Sequence, residues 1–181
     1  MTRVPPVEPD DTTPDRRAAF DAGVQRYGRM TNMKRTLLHS LPAYHALMEW
    51  YTLRDVVSPF LGERLTNLFS HAISSETDCL ICSTFFRRIL IDAGEDVENL
   101  AFDEREQAVI EFGRCLASPF ARVPHELYAR VAAYFDAEQM VALTAFGAMM
   151  VATNVVNNAL DVPLDDYLMP YRAKARPEAA G

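Results

Sequence analysis

Glu63–Leu90, ERLTNLFSHAISSETDCLICSTFFRRIL, is the stretch on which the fold turns. Leu61, Leu65, Leu68, Phe69 and Ala72 recur on one face of a 3.6-residue period, so Ser58 to Ser74 predicts an amphipathic helix. After a short polar break, Cys79 and Cys82 stand where a second helix begins, with Asp78 as its expected N-cap and Gly94 as its expected C-cap. Residues at i and i+3 share a helix face, so the two sulfurs can approach and close a disulfide with modest adjustment. A thiolate at that end also meets unpaired N–H groups and the positive end of the helix dipole, which lower its pKa. The first cysteine is expected to be the more exposed and the nucleophile. Three readings stay open: a redox dithiol, half of a metal site completed by Cys115 and His71, or two small core residues.

Outward from this pair the helical period continues. PDRRAAFDAGVQRYG opens with Pro14 and closes on Gly28, and TNMKRTLLHS and LPAYHALMEWYTLRDVV give a short and a long helix. In FDEREQAVIEFGRCLA, Asp103 and Glu106 form a capping-box pattern. VPHELYARVAAYF and DAEQMVALTAFGAMMVATNVVNNAL supply the last two, the second apolar nearly all round and expected to be central and buried. Asn154, Asn157 and Asn158 in it need polar partners, at helix contacts or a subunit interface. No strand pattern competes. The expectation is one all-α domain of seven or eight helices over residues 15–168, with a flexible or extended arm at 1–14 and a tail at 169–181.

The 181 residues are 49% hydrophobic and 24% charged with a net charge of −7. That is an ordinary globular composition, and its acidity argues against nucleic acid as the main partner. No apolar run reads as a membrane span, and the first residues lack the apolar region of a secretory signal, so the expected location is the cytoplasm. Three cysteines there are not a disulfide framework.

The order of segments resembles the alkylhydroperoxidase D (AhpD)-like branch of the carboxymuconolactone decarboxylase family. GRMTNMKRTLLHSLPAYHALMEWY, the CxxC helix with its predecessor, and FDEREQAVIEFGRCLASPFARVPHELYARVAAYFDAEQMVALTAFGAMMVATNVVNNALDVPL carry the likeness, over about residues 28–168. The resemblance implies an AhpD-like helical bundle, a homo-oligomer (trimer or hexamer), a peroxide or small disulfide as substrate, a thiol reductant protein as partner, and no cofactor or metal. The family's peroxidase pattern is Glu, eleven residues, Cys-x-x-Cys, three residues, His. Its cysteines fall on Cys79 and Cys82, its glutamate on Asn67, its histidine on Phe86, and a further histidine position on Ile81. The thiols are kept and the proton relay is not. That relay is worth about 10² to 10⁴ in rate.

His71, one turn beyond Asn67, is the expected replacement base, against the alternative of an ordinary helix histidine. Arg87 and Arg88 either support a thiolate or face solvent or a neighbouring subunit. Phe85 and Phe86 read as core, with Phe86 also able to wall an apolar substrate pocket. Cys115 reads as buried and inert, and His39, His45 and His125 as structural. The functional expectation is an oxidoreductase, a CxxC redox enzyme with an altered relay. The alternatives are a non-catalytic ligand-binding or interaction protein and a carboxymuconolactone decarboxylase-type lyase.

Overall fold

The computed structural model describes residues 2–173, which form eight α-helices and one C-terminal 3₁₀ helix, with no strand among them. The α-helices are α1 (Pro14–Tyr27), α2 (Asn32–Leu37), α3 (Leu41–Leu61), α4 (Glu63–Glu76), α5 (Leu80–Asp92), α6 (Glu104–Ala117), α7 (His125–Ala132) and α8 (Ala137–Leu160). The 3₁₀ helix, Asp166–Tyr171, packs on α5, so the expected tail begins inside an ordered element, and residues 174–181 lie outside the described range.

The helix ends follow local chemistry. Thr31 and Ser40 cap α2 and α3 through their hydroxyls, and Asp103 and Asp136 build full capping boxes with Glu106 and Gln139. Two boundaries differ from the sequence reading. Pro59 does not open α4; α3 runs through it, and the chain turns at Gly62, whose φ of 84° an L side chain rarely adopts. Asp78 does not cap α5 either. It sits at φ 50° as the left-handed residue that ends α4, with its N–H donating to the Ser75 carbonyl and that of Cys79 to the Ser74 carbonyl. This is a Schellman turn, and it makes Cys79 the first residue past α4 and the N-cap of α5 at once.

Helices α3, α4, α5, α6 and α8 enclose the main core. Phe69 and Phe146 are fully buried and stack at 6.0 Å, each contributing about 2–3 kcal/mol by area removed from water. Gly147 lets α8 close on this pair: a Cβ there would stand 3.0 Å from Phe69 and 2.6 Å from Leu116. Val7 of the N-terminal arm is buried in a smaller cluster with Leu37, Leu38, Tyr44 and Met48, and its N–H donates to Arg35 at 3.3 Å.

Helix α8 is long and apolar enough to cross a membrane by length and composition, which the sequence reading did not register. In the fold it lies against α3, α4 and α6. The expectation that it is central and buried is corrected: only one face meets these helices. Leu143, Phe146, Met150, Asn154 and Asn157 point inward, while Val141 and Val155 stay exposed.

Candidate active site

The turn between α4 and α5 holds the thiols, and α8 holds the turn. Asn154 donates from Nδ2 to Thr77 Oγ1 at 2.8 Å and to Ser74 Oγ at 3.4 Å. Asn158 donates to the Thr77 carbonyl at 2.9 Å. Asn157 points between the sulfurs, with Nδ2 3.3 Å from Cys82 Sγ and 3.8 Å from Cys79 Sγ. The asparagines that needed partners therefore find them at one helix contact, the one that carries the cysteines.

Cys79 and Cys82 are free thiols, and each shifts the other. The Cys82 thiol donates to the Cys79 sulfur, which is the largest influence holding Cys79 down to about 7 against its burial. Cys79 makes no capping bond by strict geometry, yet the N–H groups of Cys82 and Ile81 face it, and these with the Asn157 amide also favour its anion. The same contact, then burial, push Cys82 well up. Both shifts favour the anion on Cys79 over the anion on Cys82.

Access runs the other way. Cys79 has no exposed surface, because it closes the α4 turn and lies under α8. Cys82 is 6% exposed and opens on a cavity of about 470 Å³. The expectation that the first cysteine is the more exposed is corrected here: the residue at the helix cap is the one most enclosed by the preceding turn. Trp50, Tyr51, Phe85 and Phe86 wall this cavity beside Cys82, and Lys34 and Asp165 also line it.

His71 does not join them. It lies in the field of Arg87 and Arg114, and burial first, then those two charges, push it down to about 4, so it is neutral at pH 7. Among the described residues no hydrogen bond links it to either sulfur. Asn67 is buried with its amide donated to the Glu63 carbonyl at 2.8 Å, and Phe86 packs against Trp50 and Phe85, so neither position moves a proton. Glu76 is exposed at the end of α4. Arg87 pairs with Glu98, and Arg88 with Asp92 at 2.7 Å. Cys115 is half-buried rather than buried, and its thiol donates to the Arg122 carbonyl at 3.0 Å. The four-ligand set weighed for zinc is not assembled: among the described residues no three His, Cys, Asp or Glu side chains cluster as ligands.

No family model matches the sequence, and no curated protein matches it. Solved structures do resemble it in fold. The apo debrominase Bmp8 superposes with a TM-score of 0.75 at 19% identity, covering 94% of this chain and 96% of its own. A cysteine-to-alanine variant of that debrominase, in complex with 2,3,4-tribromopyrrole, superposes at 0.76 and 19% with the same coverage. An uncharacterized peroxidase-related protein from Ralstonia eutropha, an alkylhydroperoxidase AhpD core, gives 0.73 at 17% identity, covering 96% of this chain and 98% of its own. The chain has the AhpD-like all-α fold.

Proposed function

We propose that the protein is a dithiol oxidoreductase in which Cys82 attacks and Cys79 carries the proton and then resolves. One observation carries this reading: the Asn157 amide lies between the two sulfurs, with Cys79 enclosed and Cys82 open to the cavity. Cys82 passes its proton to the Cys79 thiolate and attacks the distal oxygen of a hydroperoxide. The O–O bond breaks, and the departing alkoxide takes the proton back from Cys79. The Cys79 thiolate then attacks the Cys82 sulfenic sulfur, an S–S bond forms, and hydroxide leaves and is protonated by solvent. Two electrons from the dithiol reduce the peroxide to alcohol and water, and a thiol reductant protein restores them with two protons. Cys79 thereby does the work that Asn67 and Phe86 cannot. A small disulfide substrate would use the same pair by exchange.

Reductive dehalogenation of an aryl halide is the second reading. Two thiols would convert Ar–X to Ar–H, halide and a proton, leaving the same disulfide. The aromatic cavity, with Phe86 where a histidine was expected, favours it, as does the fold shared with a debrominase. A cytoplasmic setting fits a site that needs reduced thiols. The exposed Val141 and Val155 of α8 fit a subunit contact in a homo-oligomer, which light scattering would measure.

The test is anaerobic. Reduced protein is mixed with one equivalent of cumene hydroperoxide, or separately with a bromophenol. Loss of two thiols, a mass decrease of two hydrogens and a linked Cys79–Cys82 peptide are expected with one of them. Thiols intact after both would sink the enzyme reading and leave a binding protein.

A further inference from the structure

The cavity has a second chemical end, opposite in character to the thiols. Lys34 of α2 lines it, yet is only 3% exposed. Its ammonium has three N–H groups. One finds a full acceptor, the Arg29 carbonyl at 3.2 Å. The nitrogen otherwise lies over two ring faces, 4.3 Å from the Tyr27 centroid and 4.9 Å from that of Tyr51. Burial pushes the amine down to about 8, with Asp165 opposing the shift. A buried ammonium held by one carbonyl and two rings is incompletely solvated.

Three further polar atoms of wall residues are buried without a partner: the donors Trp50 Nε1 and Arg88 Nε, and the acceptor Asp165 Oδ2. The charged residues of the wall are Arg29, Lys34 and Arg88 against Asp165 alone, in a chain whose net charge is −7. With Arg88 paired to Asp92, Arg29 and Lys34 still outnumber Asp165, and this positive excess lies beside an aromatic-walled space of ligand size.

We propose that this cavity binds a flat aromatic anion, a carboxylate or phenolate, with its charged group on the Lys34 amine and its ring among the aromatic walls. The anion returns the solvation that burial took from the amine. The dithiol reading is needed for one clause only, that the bound ring then presents its far edge to Cys82. The charged or titratable groups facing Lys34 are Tyr27 from α1, Arg29 from the following turn, Tyr51 from α3 and Asp165 ahead of the 3₁₀ helix. Burial raises both tyrosines above the ordinary tyrosine value, so neither is the group that titrates near pH 8.

The test compares 1-naphthoate with its neutral isostere 1-naphthamide by titration calorimetry. The expected result at pH 7 is at least a tenfold preference for the naphthoate. The preference is lost in Lys34→Met, kept in Lys34→Arg, and declines in the wild type between pH 7 and 9.5 as the amine loses its proton. The pH series stands even if Lys34→Met fails to fold. Equal affinity for the two probes, binding of neither, a preference that survives Lys34→Met, or one indifferent to pH would overturn the proposal. The same titration on a Cys79→Ser, Cys82→Ser double variant separates the two readings. Naphthoate bound there, with the wild type inert to peroxide and aryl halide, sinks the dithiol enzyme and keeps the anion site. Turnover without naphthoate preference does the reverse.

Discussion

Helices α6 and α8 begin on aspartates, and α5 begins on a cysteine. Asp103 and Asp136 each accept a backbone N–H from the third residue of their helix, at 2.8 Å and 2.9 Å, and a glutamate or glutamine reaches back to complete the box. Cys79 makes no such bond, and the N–H groups that an oxygen would have taken face its sulfur instead. An oxygen cap lowers the energy of a helix end. A sulfur cap leaves that end less satisfied and turns its field on a thiol. The molecule uses the first where only stability is needed and the second where the cavity lies.

The sharpest way to break this contrast is to remove one sulfur. Cys82→Ser takes away the attacking atom, so disulfide formation and turnover should fall to background. Cys82→Ala also removes the donor to Cys79, and in that variant the ultraviolet thiolate titration of Cys79 should move upward in pH. The sign is fixed by the linkage: a group held below its ordinary value by a donor returns toward that value when the donor weakens. Loss of thiols at the wild-type rate in Cys82→Ser would show that Cys79 attacks. Asn157→Leu is the next test. It deletes the amide between the sulfurs while keeping the volume. The amide favours the Cys79 anion from 3.8 Å, so the Cys79 midpoint should rise from about 7, by less than the loss of the Cys82 donor gives. A midpoint that does not move would mean that the amide positions the turn without touching its charge.

How far the sequence carried differs between these regions for a physical reason. Helix positions were readable because apolar spacing and caps are local, and the capping box at Asp103 is visible in four letters. The pairing of thiols was readable for the same cause, since i and i+3 share a face. The accessible sulfur was not. Asp78 offered two local roles, the cap of α5 or the left-handed end of α4, and the second wins because its N–H and that of Cys79 both reach carbonyls of α4. That choice buries Cys79. His71 was drawn toward the site by its spacing from Asn67, but its electrostatic neighbours are Arg87 of α5 and Arg114 of α6, a tertiary fact no spacing records. Lys34 was missed because its ring partners lie in other helices, and Asn157 was read as an amide that needs a helix contact but not as the neighbour of the thiols. For Asn157 a signal existed: polar amides on an otherwise apolar helix mark a contact that must be met.

The contrast also predicts where stability and chemistry separate. Asp136→Ala should destabilise the fold by about 1 kcal/mol, the usual worth of an N-cap, and leave the Cys79 thiolate titration in place. Chemical denaturation reads the first and ultraviolet thiolate absorbance against pH the second. If the thiol shifts with Asp136→Ala, the start of α8 and the asparagines near its end are mechanically coupled, and the two kinds of cap are not independent.

The smallest effect comes from the turns that close α4 and α5, which are the same Schellman turn with different residues at the left-handed position. At the end of α5 it is Gly94, at φ 90°. At the end of α4 it is Asp78, at φ 50°, exposed and directly before the sulfur cap. Glycine enters that region without steric cost, whereas an aspartate there is mildly strained. Asp78→Gly should therefore raise stability by less than about 1 kcal/mol, since the freer unfolded chain offsets part of the relief. Gly94→Ala should lower it by about as much, through φ alone, because nothing stands within 4 Å of the added Cβ. Thermal melts of the two variants give the comparison directly. Opposite signs would show that the turn before Cys79 is held at a small local expense that its counterpart after α5 avoids. A fall in both would mean that the Asp78 side chain supports the turn, and that the position before the thiol is built for stiffness.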